Sequence, residues 1–192
     1  MIDIDIVPAA IAPGFIDFGS WQRPYTGAEV TRIDRPGGKF KMGVMLPPLD
    51  DGRAMVTRLI RAKQEGARIS IPLLGKSQGI PGTPLVDGAG QSGTTLNIKG
   101  LTAGYTAKEG YWFNVIQAGR YYLHKITATA SADATGDLAA SIFPALRVAL
   151  SDSATVVLDD PKIEGLIDGN EQAWDISSDL HTSIEFTIEE FG

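Results

Sequence analysis

The chain has no cysteine and only two histidines. Without thiols there is no disulfide framework, no thiol nucleophile and no thiolate metal site. The scarcity of imidazole removes the commonest residue of acid–base and metal chemistry. Positive charge is also short: 17 Lys and Arg against 23 Asp and Glu give a net charge of -6. That balance argues against broad electrostatic binding to nucleic acid or to an anionic membrane. Long apolar runs are missing as well, none approaching the ~20 residues of a membrane helix. Met1-Ile2-Asp3-Ile4-Asp5 lacks the basic flank of a signal peptide, so synthesis in the cytoplasm is expected. What is present is a 192-residue chain, 43% hydrophobic, enough for one sizeable core or two small ones. This profile favours a structural or binding protein over an enzyme, with no cofactor.

Periodicity predicts a mainly β chain with one α-helix. In Gly38 to Leu46, Phe40, Met42, Val44 and Leu46 alternate with Lys39, Lys41, Gly43 and Met45, the period of a strand with one buried face. Pro47-Pro48 ends it. Asp50 or Asp51 then caps a helix over about 51–65, with Met55, Val56, Leu59, Ile60 and the stem of Lys63 as its apolar stripe and Gly66 as its stop. A strand with Ile69, Ile71 and Leu73 on one face follows, and Pro72 places it at an edge or where pairing ends. Ala28 to Asp34 reads as a further strand, joined to Gly38 through Arg35-Pro36-Gly37-Gly38.

Gly75 to Pro84, with three glycines and two prolines, marks a module boundary. Beyond it lie short β-prone pieces separated by turns such as Ala118-Gly119 and Ala132 to Asp137. The segment Thr182 to Phe191 alternates again, with Ile184, Phe186 and Ile188 against Glu185, Thr187 and Glu189. A lone hairpin is marginal in water, so this strand is expected to join the amino-terminal sheet. The expected organisation is residues 1–80 plus 160–192 as one barrel or sandwich flanked by the helix, with 81–159 inserted as a small all-β domain.

Motifs of chemistry are weak. Gly88-Ala89-Gly90-Gln91-Ser92-Gly93 matches a dinucleotide fingerprint, but the β-prone Thr94 to Ile98 follows where that site needs a helix. Gly75-Lys76-Ser77 resembles the end of a P-loop, yet Ser70 stands where its first glycine belongs. His124 reads as a half-buried packing residue, and His181 lies near Asp179 at a turn, neither with a nucleophile-elbow serine. The acidic pairs Asp50-Asp51, Asp159-Asp160 and Glu189-Glu190 fall at caps, turns or the terminus, and Asp168 to Glu171 does not continue as a calcium loop. Tyr105, Tyr111, Trp112, Phe113, Tyr121 and Tyr122 form either a barrel core or a stacking platform for sugar, with Trp112 and Tyr122 as the glycan contacts in the second case. Phe15, Phe18 and Trp21 lie in an aperiodic segment that reads as an arm on a neighbouring subunit or a surface loop.

Three stretches carry a family resemblance. The passage Phe40 to Glu65, the glycine turn Gly82 to Leu96, and Ala130 to Asp137 leading into Ile142-Phe143-Pro144-Ala145-Leu146-Arg147 resemble minor tail proteins of long-tailed bacteriophages, in particular the distal tail or tail-tip ring proteins. The resemblance implies a tail-tube-like fold and a structural virion protein, made in the host cytoplasm. It further implies a ring of identical copies, expected as a hexamer, between the tail tube protein and the hub or baseplate. Edge strands join such copies. The expected edges are the hairpin Ala28 to Leu46 and the strand Thr182 to Phe191, with Val30, Ile33, Phe40, Met42, Ile184 and Phe186 as interface residues. A carbohydrate-binding module for receptor recognition is the alternative.

Overall fold

The computed structural model describes every residue except 28, 34, 36, 74–76, 177–180 and 192. The chain begins with β1 (Ile2–Ile4), β2 (Ala10–Ile16), the short β3 (Ser20–Gln22) and β4 (Thr31–Ile33), then β5 (Lys39–Met45), the helix α1 (Arg53–Glu65) and β6 (Ala67–Ser70). Next come β7 (Gly82–Val86), β8 (Gly93–Leu101), β9 (Thr106–Ala107), β10 (Trp112–Gln117), β11 (Arg120–Ile126), β12 (Ala130–Ser131), β13 (Leu138–Leu146) and β14 (Thr155–Val157). The chain closes with β15 (Lys162–Ile167), β16 (Asp175–Ile176), β17 (Thr182–Ser183) and β18 (Glu185–Glu190). The fold is thus mainly β with one helix among the described residues.

Both ends of the sequence meet in one six-stranded sheet, ordered β1-β6-β15-β18-β5-β2. Alternation sets its register: Phe186 lies opposite Val44 and Ile188 opposite Met42, so the apolar sets of β18 and β5 share a face. On that face Ile4, Ile69, Ile163 and Ile188 pack with Met55, Leu59 and Ala62 of α1, one residue per turn along a single helix stripe. Asp51 receives the Arg53 backbone N–H at 3.2 Å, while Gly52 in the N-cap position has no side chain to offer. Gly66 ends the helix at φ +81° and donates its N–H to the Ala62 carbonyl. The expected stripe is corrected at Ile60, which is exposed.

This sheet is open, whereas the closed barrel is the middle segment, ordered β10-β11-β13-β8-β7-β14 with β14 returning to β10. Val86, Leu96, Ile98, Phe113, Val115, Ile126, Leu138 and Ile142 fill its core. Ala118 and Gly119 both have positive φ, as a two-residue β10–β11 hairpin demands. In the Asp133 turn, the carboxylate receives the N–H groups of Thr135 at 2.8 Å and Asp137 at 2.9 Å. The barrel leaves the sheet after β6 and returns at β15, two strands that pair directly, Ser70 opposite Lys162.

Strand order corrects the edge assignment. β5 lies between β18 and β2, and β18 between β15 and β5, so both are interior, and the edges among the described residues are β1 and β2. β6 is interior too, and its pairing ends at Ser70, before Pro72. Of Ala28 to Asp34, the described part contains only the three-residue β4, and Pro36 of the expected turn lies outside the described residues.

Candidate functional site

Among the described residues the sheet presents free edges at its two ends. β1 pairs in parallel with β6, and β2 antiparallel with β5 alone, which suits Pro13 in β2 because proline has no N–H for a second partner. Between β2 and β5 the chain makes an excursion in which β3 and β4 pair with each other, Trp21 opposite Arg32. Every residue of these two short strands is exposed. The ribbon displays Trp21 at 65% exposure, a fully exposed Tyr25, and Phe18, Val30 and Ile33. At its base the Arg32 guanidinium meets the Asp17 carboxylate at 2.7 Å and lies 5.6 Å from the Trp21 ring centre.

The outward face of the sheet carries paired charge. Lys39 bonds Glu189 at 2.7 Å and Lys41 bonds Asp168 at 2.5 Å. The Lys41 contact, a hydrogen bond first, holds the Asp168 carboxyl below its ordinary value. The lysines therefore share the face of Glu185, Thr187 and Glu189 and neutralise part of it.

Where sheet and barrel meet, buried polar groups replace apolar packing. Glu190 on β18 accepts the Leu123 N–H of β11 at 2.8 Å, the Phe40 N–H of β5 at 3.2 Å and a charged hydrogen bond from Arg147. Burial pushes its carboxyl up, against the opposing pull of the Arg147 charge and the two N–H groups. Arg147 also donates to the Phe191 carbonyl at 3.1 Å, while its Nε is buried with no partner among the described residues. A second, part-buried pair joins Arg68 to the buried Glu164 at 2.7 Å, the guanidinium lying 4.1 Å from the Tyr121 ring centre. The Asn114 side chain donates to the Lys162 carbonyl at 2.8 Å, and Gln78 brackets Trp112, accepting its N–H at 2.8 Å and donating to its carbonyl at 2.7 Å. Along this seam the rings of Phe143, Phe15, Phe40 and Trp112 follow one another at centroid spacings of 4.7, 5.4 and 4.9 Å.

These positions correct the predicted interface. Phe40, Met42, Ile184 and Phe186 are buried in the chain's own core, where the alternation that made them conspicuous has placed them. Val30 and Ile33 do lie exposed on or beside the ribbon. Of the predicted glycan contacts, Trp112 is packed against Phe40 with the Lys125 ammonium 4.1 Å from its ring centre, and Tyr122 is half-buried with Arg147 at 5.6 Å. Neither is an open stacking platform. Phe113 and Tyr105 are barrel core, and the Tyr105 hydroxyl donates to the Gln78 carbonyl at 2.7 Å.

The remaining motifs are structural. Gly88, Gly90 and Gly93 occupy the β7–β8 turn at positive φ, followed by a strand. Of Gly75-Lys76-Ser77, the first two residues lie outside the described ones, as does Asp179. His124 is fully buried, Nδ1 2.9 Å from the Pro144 carbonyl, and burial lowers its pKa to about 4. It is neutral at pH 7 and donates to that carbonyl. His181 is exposed, 3.0 Å from Asp50. Among the described residues no three metal-ligating side chains gather. Sequence reasoning misses the roles of Asn114, Arg147 and Glu190, whose only signal is polarity in or beside short β-prone stretches, and of Gln78, which lies in the Gly- and Pro-rich boundary segment. No protein-family model matches the chain, and no curated protein matches it in sequence.

Proposed function

We propose that the protein is a non-enzymatic, ring-forming component of a bacteriophage tail tip, set between the tail tube and the hub. One observation carries this reading: an open sheet whose opposite ends, β1 and β2, have no further strand among the described residues, and an exposed ribbon between β2 and β5 that displays Trp21 and Tyr25. Two different edges on one body make a heterologous contact, and a heterologous contact whose rotation closes yields a ring. An open edge otherwise invites uncontrolled pairing, so a regular partner is the simplest way to complete it. Large aromatics bury ~150–250 Å² each, so covering Trp21, Tyr25 and their neighbours withdraws on the order of 400 Å² from water, about half of what one partner contributes to a standard interface. The resemblance to distal tail proteins supplies the setting, a ring of six in the virion.

The absence of native cysteine makes the test clean. In a chain carrying Asp3→Cys on β1 and Ala12→Cys on β2, oxidation of the assembled protein should give a covalent ladder that stops at one closed species, read by mass. Symmetric dimers joined only through the β1 thiols of two copies, or monomers alone in assembled tails, would overturn the reading.

A further inference from the structure

Between the base of the ribbon and the β13 strand of the barrel lies a cavity of about 540 Å³, within the ~300–1,000 Å³ range of small-ligand sites. Its floor is the tilted pair Phe15 and Phe143, whose ring centres are 4.7 Å apart and which stay exposed at 36% and 42%. Arg32, Arg35, Asp17 and Thr94 line it with them. Arg35 makes no ion pair among the described residues, and it lines the cleft beside the Arg32–Asp17 pair.

From this geometry we infer that the cleft binds an acidic saccharide. Aromatic faces accept the C–H faces of a pyranose. A guanidinium grips a carboxylate through two parallel hydrogen bonds. The Asp17 carboxylate and the Thr94 hydroxyl offer the acceptor and mixed groups that sugar hydroxyls need. A simple acidic peptide would use the arginine but leave the ring pair and the hydroxyl without matching partners. This site is distinct from Trp112 and Tyr122, and it does not depend on ring formation.

Calorimetric titration of the full chain with two acidic sugars, tetragalacturonate and sialyllactose, tests it, with maltotetraose as the neutral control and tetraglutamate as the charged peptide control. At least one acidic sugar should bind, and the two controls should bind at least about tenfold more weakly. Arg35→Gln and Phe143→Ala should each weaken the bound sugar about tenfold or more with the melting temperature unchanged, and Thr94→Ala should weaken it less. The inference is overturned by no binding of either acidic sugar at about 10 mM, by equal affinity for tetraglutamate, or by affinity that survives both principal substitutions. If Phe143→Ala lowers the melting temperature, Phe143→Leu provides the same reading with the packing volume retained.

Discussion

Replacing Glu190 by alanine tests whether one carboxylate clamps the barrel to the sheet. The substitution leaves the Arg147 guanidinium, 6% exposed, without its counter-charge, and strips the acceptor from the N–H groups of Phe40 and Leu123. Breaking a buried pair by removing one partner costs about 3–5 kcal/mol, and each orphaned N–H about 1–3 kcal/mol more. With two N–H groups orphaned the loss should be about 5–11 kcal/mol, a large share of the about 5–15 kcal/mol total of a domain. Urea unfolding by fluorescence and far-ultraviolet dichroism measures it, and hydrogen exchange locates it, with the Phe40 and Leu123 amides expected to lose protection first. Glu190→Gln keeps an acceptor and should cost less. The double change Glu190→Leu with Arg147→Met removes both charges and should cost far less than the sum of its parts. A loss below about 1 kcal/mol for Glu190→Ala, with both amides still protected, would refute the clamp.

Three further outcomes are expected. A Cβ on Gly165 would stand 1.9 Å from the Glu189 carbonyl oxygen, so Gly165→Ala should prise β15 from β18 and lower stability by at least about 2 kcal/mol in thermal melts. His124 has a folded pKa of about 4 against about 6.5 when unfolded. The unfolded chain therefore takes up the proton first as pH falls, and about 3 kcal/mol should be lost between pH 6.5 and 4, a slope that His124→Gln flattens in pH-dependent denaturation. Trp21→Ala and Tyr25→Ala, on the exposed ribbon, should change monomer stability by less than about 0.5 kcal/mol yet abolish higher-order assembly in native mass spectrometry.

The strands legible in the sequence are those with one buried face. Phe40 to Leu46 and Ile184 to Ile188 alternate cleanly, and α1 shows its stripe between Pro48 and Gly66, so their existence and the membership of both strands in one sheet can be read directly, while their pairing with each other comes from the structure. Their interior place in the sheet cannot, because alternation reports which face is covered and carries nothing about what lies on either flank. β1 and β2 escape notice for a related reason: three residues are too few for a period, and Pro13-Gly14 interrupts the other. The same logic makes core residues look like contact residues, since Phe40 and Phe186 are apolar whether a helix, a barrel or a neighbour covers them. Glu190 looks like part of a solvated terminal pair because its burial depends on Leu123 and Arg147, which the chain brings from more than 40 residues away.

The barrel departs from and rejoins the sheet at Ser70 and Lys162, which face each other across one ladder, with the Ile71 N–H bonded to the Pro161 carbonyl at 2.8 Å. Topologically, β6 and β15 are a hairpin whose turn has been expanded into a folded body of its own. Closing a loop costs entropy that grows only with the logarithm of its length, and a loop that folds brings its ends together. What hangs from Ser70 and Lys162 is also bound back onto the sheet, because Glu190 ties Leu123 and Arg147 to Phe40 of β5, so the two bodies are joined at this junction and again along a second line.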